Sequence, residues 1–148
     1  MRAVVTRVSS ASVTIDGIVE GEIEGGYLVL LGIGPDDTEE LTRKLADKIC
    51  NMRIFEDETE KMSLDLATVG GSLLVVSQFT LFADVSKRRP SFSKAGKPDM
   101  AMPLYELFLS HCQDRGFNVQ HGKFGAYMQV ASVNDGPVTI VFDMEESL

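Results

Sequence analysis

Tryptophan is absent from this chain, cysteine and histidine occur only twice each, and no apolar run approaches the length of a membrane span. Each shortage removes a class of protein. Cys50 and Cys112 fall in predicted helices without metal-ligand spacing, so they read as buried free thiols in a reducing, cytoplasmic setting. His111 lies mid-helix and His121 in a short turn, and a Ser-His-Asp or Cys-His device would need one of them as its base. His111 and Cys112 are adjacent and no second spaced pair exists, which argues against zinc. No residue cluster implies a cofactor. Neither an internal repeat nor a low-complexity tract is present, which excludes solenoids and disordered linkers. Met1-Arg2-Ala3-Val4-Val5-Thr6-Arg7-Val8 is too short and too polar for a signal peptide and reads as a first strand.

What remains is an ordinary soluble composition. The 148 residues are 44% hydrophobic and 24% charged, enough for one domain that buries about two thirds of its unfolded surface. The net charge of −8 argues against non-specific nucleic-acid binding, and neither DNA nor a membrane is expected as a partner. One stretch departs from that balance: Lys87, Arg88, Arg89, Lys94 and Lys97 place five of the 14 basic residues within eleven positions. From composition this is either a solvated loop or a phosphate-contacting patch.

Asp16-Gly17 between Ser12–Ile15 and Ile18–Ile23 is a two-residue hairpin signal. Tyr27–Ile33 is a continuous apolar run suited to a central strand. A helix follows, capped by Asp37 or Thr38, with Glu39 and Glu40 in its first turn and Leu41, Leu45, Ile49 and Met52 as its apolar stripe. Gly32-Ile33-Gly34 fits the start of a dinucleotide turn, but the third glycine is missing and four acidic residues would repel a pyrophosphate. Residues 54–71 read as charged and turn-like, and Ser72–Phe79 as the next central strand. A second helix is expected from about Asp99 to Arg115, with Pro103 in its first turns, Leu104, Leu107, Phe108 and Cys112 buried, and Gly116 as its stop. Strand-like segments at Phe117–Gln120, Ala126–Val133 and Val138–Asp143 finish the chain. The expected class is α+β: a single compact domain with a curved, largely antiparallel sheet and two main helices.

Two segments break local rules. Asn134-Asp135-Gly136-Pro137-Val138-Thr139 puts Gly-Pro between two apolar β-type runs, where Pro donates no hydrogen bond and Gly loses the most entropy. The chain needs a special backbone there, of which a cis peptide bond is one form. Ser77-Gln78-Phe79-Thr80-Leu81 ends the strongest strand run of the middle region. It can present an amide, a hydroxyl and free N–H groups to an oxyanion, or it can simply satisfy its own backbone.

These two segments, together with Arg88-Arg89-Pro90-Ser91-Phe92 and Phe124-Gly125-Ala126, resemble the D-aminoacyl-tRNA deacylases, and the likeness runs from Met1 to the last strand. The resemblance implies a barrel-like α/β fold working as a homodimer. It implies hydrolysis of the ester joining a D-amino acid, or glycine, to the 3′ end of tRNA. It also implies that Ser77, Gln78, Phe79 and Thr80 form the catalytic segment, and that a cis Gly136-Pro137 turn, flanked by Asn134 and Thr139, reaches into the partner's site as a chirality filter. Lys87, Arg88, Arg89 and Lys123 are the expected tRNA contacts. Thr80 as nucleophile lacks an adjacent base, which favours activation of water by the 2′-hydroxyl of the terminal adenosine, with N–H groups of Phe79 and Thr80 on the oxyanion. Ala131-Ser132 departs from the more apolar strand pair expected there. The competing functions are a non-catalytic binding module for RNA ends or aminoacyl-tRNA on the same fold, and an esterase for small substrates.

Overall fold

One strand organises the sheet. In the computed structural model, which describes residues 1–144, β1 (Arg2–Ile15) pairs antiparallel with three neighbours. Residues 2–8 pair with β3 (Gly26–Gly32), residues 11–15 with β2 (Ile18–Ile23), and residues 2–14 with β8 (Gln129–Asp143). The β1–β2 hairpin closes through Asp16 and Gly17, whose φ values of 50° and 77° are the left-handed pair that a two-residue turn requires. Between β3 and β6 (Ser72–Ser77) lie α1 (Glu39–Asn51) and a small hairpin of β4 (Phe55–Glu56) and β5 (Met62–Leu64). A 3-10 turn (Phe79–Phe82) and α2 (Pro98–Asp114) separate β6 from β7 (Val119–His121).

The expected α+β class, with two helices and a curved sheet, is what the chain forms. Within the six-stranded sheet, antiparallel pairing is confined to β1 and its partners, and the separate β4–β5 hairpin is antiparallel as well. β6 runs parallel to both β3 and β7, because helix-bearing crossovers precede and follow it. Beyond the end of β3, the sheet curls. Val8 faces away from Ala3 and Val5 by ordinary alternation. The β1–β8 register shift between Val8 and Ser10 then puts Ala11 and Val13 on the face of Val8, so that Ala3 and Val5 join one apolar cluster and Val8, Ala11 and Val13 another. The first cluster is covered by Leu41, Leu45 and Ile49 of α1 and by Leu104, Tyr105, Phe108 and Cys112 of α2. The second fills the inside of the curl with Leu28, Leu74 and Val76. There β2 closes toward β7: a Cβ on Gly21 would stand 2.7 Å from the carbonyl oxygen of His121.

Thr38 caps α1, its hydroxyl accepting from the Leu41 N–H at 3.1 Å, an interaction worth about 1 kcal/mol. Gly116, at φ 96°, follows the end of α2. Several boundaries differ from expectation. The two N-terminal strand segments are one strand of 14 residues. The segments at 126–133 and 138–143 are likewise one strand of 15 residues that begins at Gln129, since Ala126 closes a turn on the Lys123 carbonyl. His121 ends β7 rather than lying in a turn, and residues 54–71 contain the β4–β5 hairpin. On α2, Tyr105 and Leu109 are buried while Leu107 is only half-buried, because the helix packs on both α1 and the sheet.

Candidate active site

Parallel strands that end side by side leave a crevice beyond their carboxyl ends. β3 and β6 do this, and the crevice is a cleft of about 530 Å³ lined mainly by apolar groups. Leu31, Ile33 and Ser77 form its floor, Gln78 and Phe79 one rim, Phe92, Phe124 and Met128 the walls, and Pro98 and Ala101 bring in the start of α2. A larger hollow of about 630 Å³ along α1 is wide open to solvent and contains none of the expected catalytic residues.

β6 ends at Ser77, two residues earlier than its apolar run suggests. The Gln78 N–H still donates to the Leu31 carbonyl at 2.8 Å, and the chain then enters the 3-10 turn. Phe79 and Thr80 open that turn and are exposed, and the first N–H groups of a helical turn have no acceptor within it. The Gln78 amide donates to the Thr80 hydroxyl at 3.0 Å, which orients that oxygen. Among the described residues no hydrogen bond joins Thr80 to a histidine or a carboxylate. His111 is held by Asp47 at 2.9 Å, and the His121 ring by the Gly122 carbonyl. No group of three His, Cys, Asp or Glu among the described residues is placed to hold a metal. Phe79 and Phe92 meet edge to face at 5.3 Å and put an aromatic pair at the mouth of the cleft.

The second expected group of residues lies elsewhere. From Thr6 to Val8, β1 advances two residues while β8 covers five, from Asn134 to Thr139. The excess forms a wide bulge that carries Asp135, Gly136, Pro137 and Val138, and the Gly136–Pro137 bond is cis. Gly136 has φ 134°, and a Cβ there would lie 2.7 Å from Val138 Cγ2. Asn134 pairs with Val8 and Thr139 with Thr6.

Arg7, which the sequence reading passed over, anchors the bulge. It is 4% exposed. Its Nε donates to the Asp135 carbonyl at 3.0 Å, and its Nη1 donates to the Ile54 carbonyl at 2.7 Å and to the Glu56 carboxylate at 2.8 Å. The Glu56 carboxyl is held below the usual range by a backbone N–H and by Arg7. A signal was present: Arg7 continues the inward-facing alternation of Ala3 and Val5 with a charge, and a buried charge needs partners.

The basic loop is ordered by a short bridge in which Asp84 and Ser91 exchange both backbone hydrogen bonds. Hydrogen bonds from Ser86, and then Lys94, hold the Asp84 carboxyl below its ordinary range. Lys87, Arg88 and Arg89 stand exposed at the tip. Lys123 differs, since it pairs with Glu20 at 3.3 Å.

Residues 4–143 match the model of the D-Tyr-tRNA(Tyr) deacylase family. The chain belongs to that family. As a member of a deacylase family it is a hydrolase. A relative from Thermosipho africanus named D-aminoacyl-tRNA deacylase is 52% identical over 99% of both chains, and one of the same name from Clostridioides difficile is 53% identical with the same coverage. Among solved structures, the c-Myc DNA Unwinding Element Binding Protein is similar at TM-score 0.91 and 42% identity, covering 97% of this chain and 98% of its own. A probable eukaryotic D-amino acid tRNA deacylase matches at TM-score 0.84 and 18% identity, over 95% and 97% of the two chains, which bears on the fold alone.

Proposed function

We propose that this deacylase hydrolyses the ester of D-aminoacyl-tRNA, releasing free tRNA and the D-amino acid. It accepts glycyl-tRNA mischarged on tRNA(Ala), and it rejects L esters through the Gly136-cis-Pro137 bulge of a second copy. It acts in the cytoplasm as a homodimer. The observation that carries the reading is the chemistry of the cleft: an amide, an oriented hydroxyl and opening N–H groups on one rim, with no hydrogen-bonded base among the described residues. Such a site cannot activate a serine-type nucleophile. It can hold a developing oxyanion while the 2′-hydroxyl of the terminal adenosine activates water.

The filter follows from rigidity. Backbone carbonyls in an anchored bulge cannot rotate away, so an L side chain directed at them clashes, a D side chain points elsewhere, and glycine presents nothing. Rejection by a fixed wall discriminates more strongly than a small gain in fit. Within one chain the bulge cannot serve the cleft. Gly136 sits beside Arg7, which pairs with Tyr27 at the start of β3, whereas the cleft begins at Leu31, about 13 Å further along the strand. A second copy supplies the missing element. The exposed apolar residues on and beside the edge strand β8, Tyr127 at 89%, Val133 at 58% and Val141 at 71%, support such an interface. Lys87, Arg88 and Arg89 contribute phosphate contacts around the acceptor end, with Lys123 joining once it releases Glu20.

The deciding experiment compares D-tyrosyl-tRNA with L-tyrosyl-tRNA at catalytic enzyme concentration. Rapid loss of the D ester alone is expected. Equal loss of both would remove the filter, and binding without turnover would leave a tRNA-end binding module.

A further inference from the structure

The 3-10 turn that carries Phe79 and Thr80 is fixed from its far end by a residue that touches neither the cleft nor the bulge. Arg2 Nη1 donates to the Leu81 carbonyl at 2.9 Å. The same guanidinium lies over the Phe82 ring, 4.6 Å from its centroid, and its Nε stands 3.3 Å from the Asp143 carboxylate. Phe82 is 1% exposed and packs against the glycine-rich end of β3. A Cβ on Gly32 would fall 3.0 Å from both the Gln78 carbonyl oxygen and Leu81 Cβ. The turn therefore rests against bare backbone on one side, with no side chain between it and β3, and is gripped by Arg2 on the other. Its entrance is pinned by the Gln78 N–H on the Leu31 carbonyl.

We infer that Arg2 is a positioning residue for deacylation: by holding the Leu81 carbonyl and the Phe82 ring, it sets where Gln78, Phe79 and Thr80 stand relative to the ester. This rests on the reading of those three residues as the reacting rim. The reason Arg is suited to the task is geometric. Its planar fork can donate to a carbonyl, pair with a carboxylate and stack on an aromatic ring at once, whereas a lysine ammonium is a compact point charge. The Arg2–Asp143 pair is partly exposed, so its value lies in direction rather than in strength. Displacing a reacting group by an ångström costs up to about a hundredfold in rate, which a loosened turn would produce without emptying the cleft.

The test uses Arg2→Gln and Arg2→Lys in the full chain, with D-tyrosyl-tRNA as substrate and thermal melting alongside. In Arg2→Gln, kcat should fall by about ten- to a hundredfold at unchanged KM, with the melting temperature nearly kept. Arg2→Lys, which retains one donor for Leu81 but not the fork that also meets Asp143 and the Phe82 ring, should recover only part of the lost kcat. An unchanged kcat in Arg2→Gln would overturn the inference. So would a fall in kcat that tracks the melting temperature and is not recovered by lysine, because that pattern belongs to general destabilisation. Should Arg2→Gln fail to fold, Asp143→Asn decides by the same split of kcat from KM, with a smaller loss expected. Wild-type protein that spares the D ester would defeat the reading of the rim. Active wild type with an equally active Arg2→Gln would defeat only the role of Arg2.

Discussion

Gln78 gives its amide proton to Thr80 at 3.0 Å, so the threonine oxygen accepts before any substrate arrives. An oxygen in that state, without a base, is a poor nucleophile but a good placeholder for water or for a ribose hydroxyl. Thr80→Ala is therefore expected to keep turnover within about tenfold of wild type, the cost of one hydrogen bond. Complete loss of hydrolysis from a folded Thr80→Ala would make threonine the nucleophile. Pro137→Ala should spare D-ester turnover per bound substrate and lower the preference for D over L esters by at least about tenfold, measured as the ratio of the two kcat/KM values. At this scale the sequence was a partial guide. The segments holding Gln78, Thr80 and the Gly136-Pro137 pair stood out because each breaks a local rule, and they lie at the rim of the cleft and in the β8 bulge respectively. The partners of Arg7 did not stand out: Asp135, Ile54 and Glu56 are distant in sequence and meet it only once β8 and the β4–β5 hairpin have docked.

Elements whose cause is local came out of the sequence nearly intact. The Asp16-Gly17 hairpin, the Thr38 cap and the Gly116 stop each depend on a few neighbouring residues. The long strands did not: the polar Ser9-Ser10 pair splits the pattern of β1, and Gly136-Pro137 in β8 reads as a breaker to any local rule. In the fold, β1 supplies the hydrogen bonds on either side, and a strand of 15 residues survives with a bulge in it. The loop of residues 84–91 is the element whose chemistry is most open to test. Its Asp84–Ser91 bridge leaves Lys87, Arg88 and Arg89 at the tip, where none is needed for the fold. Reversing all three charges should raise KM for charged tRNA about tenfold or more, lower kcat little, and flatten the dependence of binding on salt. If KM and the salt slope both hold, the loop is only solvated surface.

For the molecule as a whole, two tyrosines set an alkaline limit. Burial pushes the Tyr27 and Tyr105 phenols well above their ordinary value, and Tyr105 also donates to the Val75 carbonyl at 2.8 Å. Both stay neutral in the folded state where the unfolded chain would ionise them. Their contribution is complete below the ordinary tyrosine value of about 10 and drains away as pH rises beyond it toward the folded values. The urea midpoint should begin to fall as pH passes the ordinary thiol value of about 8.5, because the Cys50 contact and burial push the folded Cys112 thiol up. It should fall more steeply above about pH 10, with that steeper part shallower in Tyr105→Phe. A midpoint unchanged above pH 10, or the same slope in Tyr105→Phe, would contradict this.

The long pairing of β1 with β8 sets an order of events during synthesis. Arg2 meets Asp143 and Thr14 meets Gln129, so nearly the whole chain must be made before that seam can close. At translation speeds of 5–20 residues per second, the outer edge of β1 waits roughly ten seconds with its N–H and C=O groups unpaired. β2 and β3 can occupy the other edge early, because they follow within the first 32 residues. The nascent chain thus passes through a half-sheet with one sticky margin, and an abortive product ending before Gln129 keeps that margin for good. Strand β8 is both the carrier of the Gly136–Pro137 bulge and the cover that makes the newborn protein safe among its neighbours.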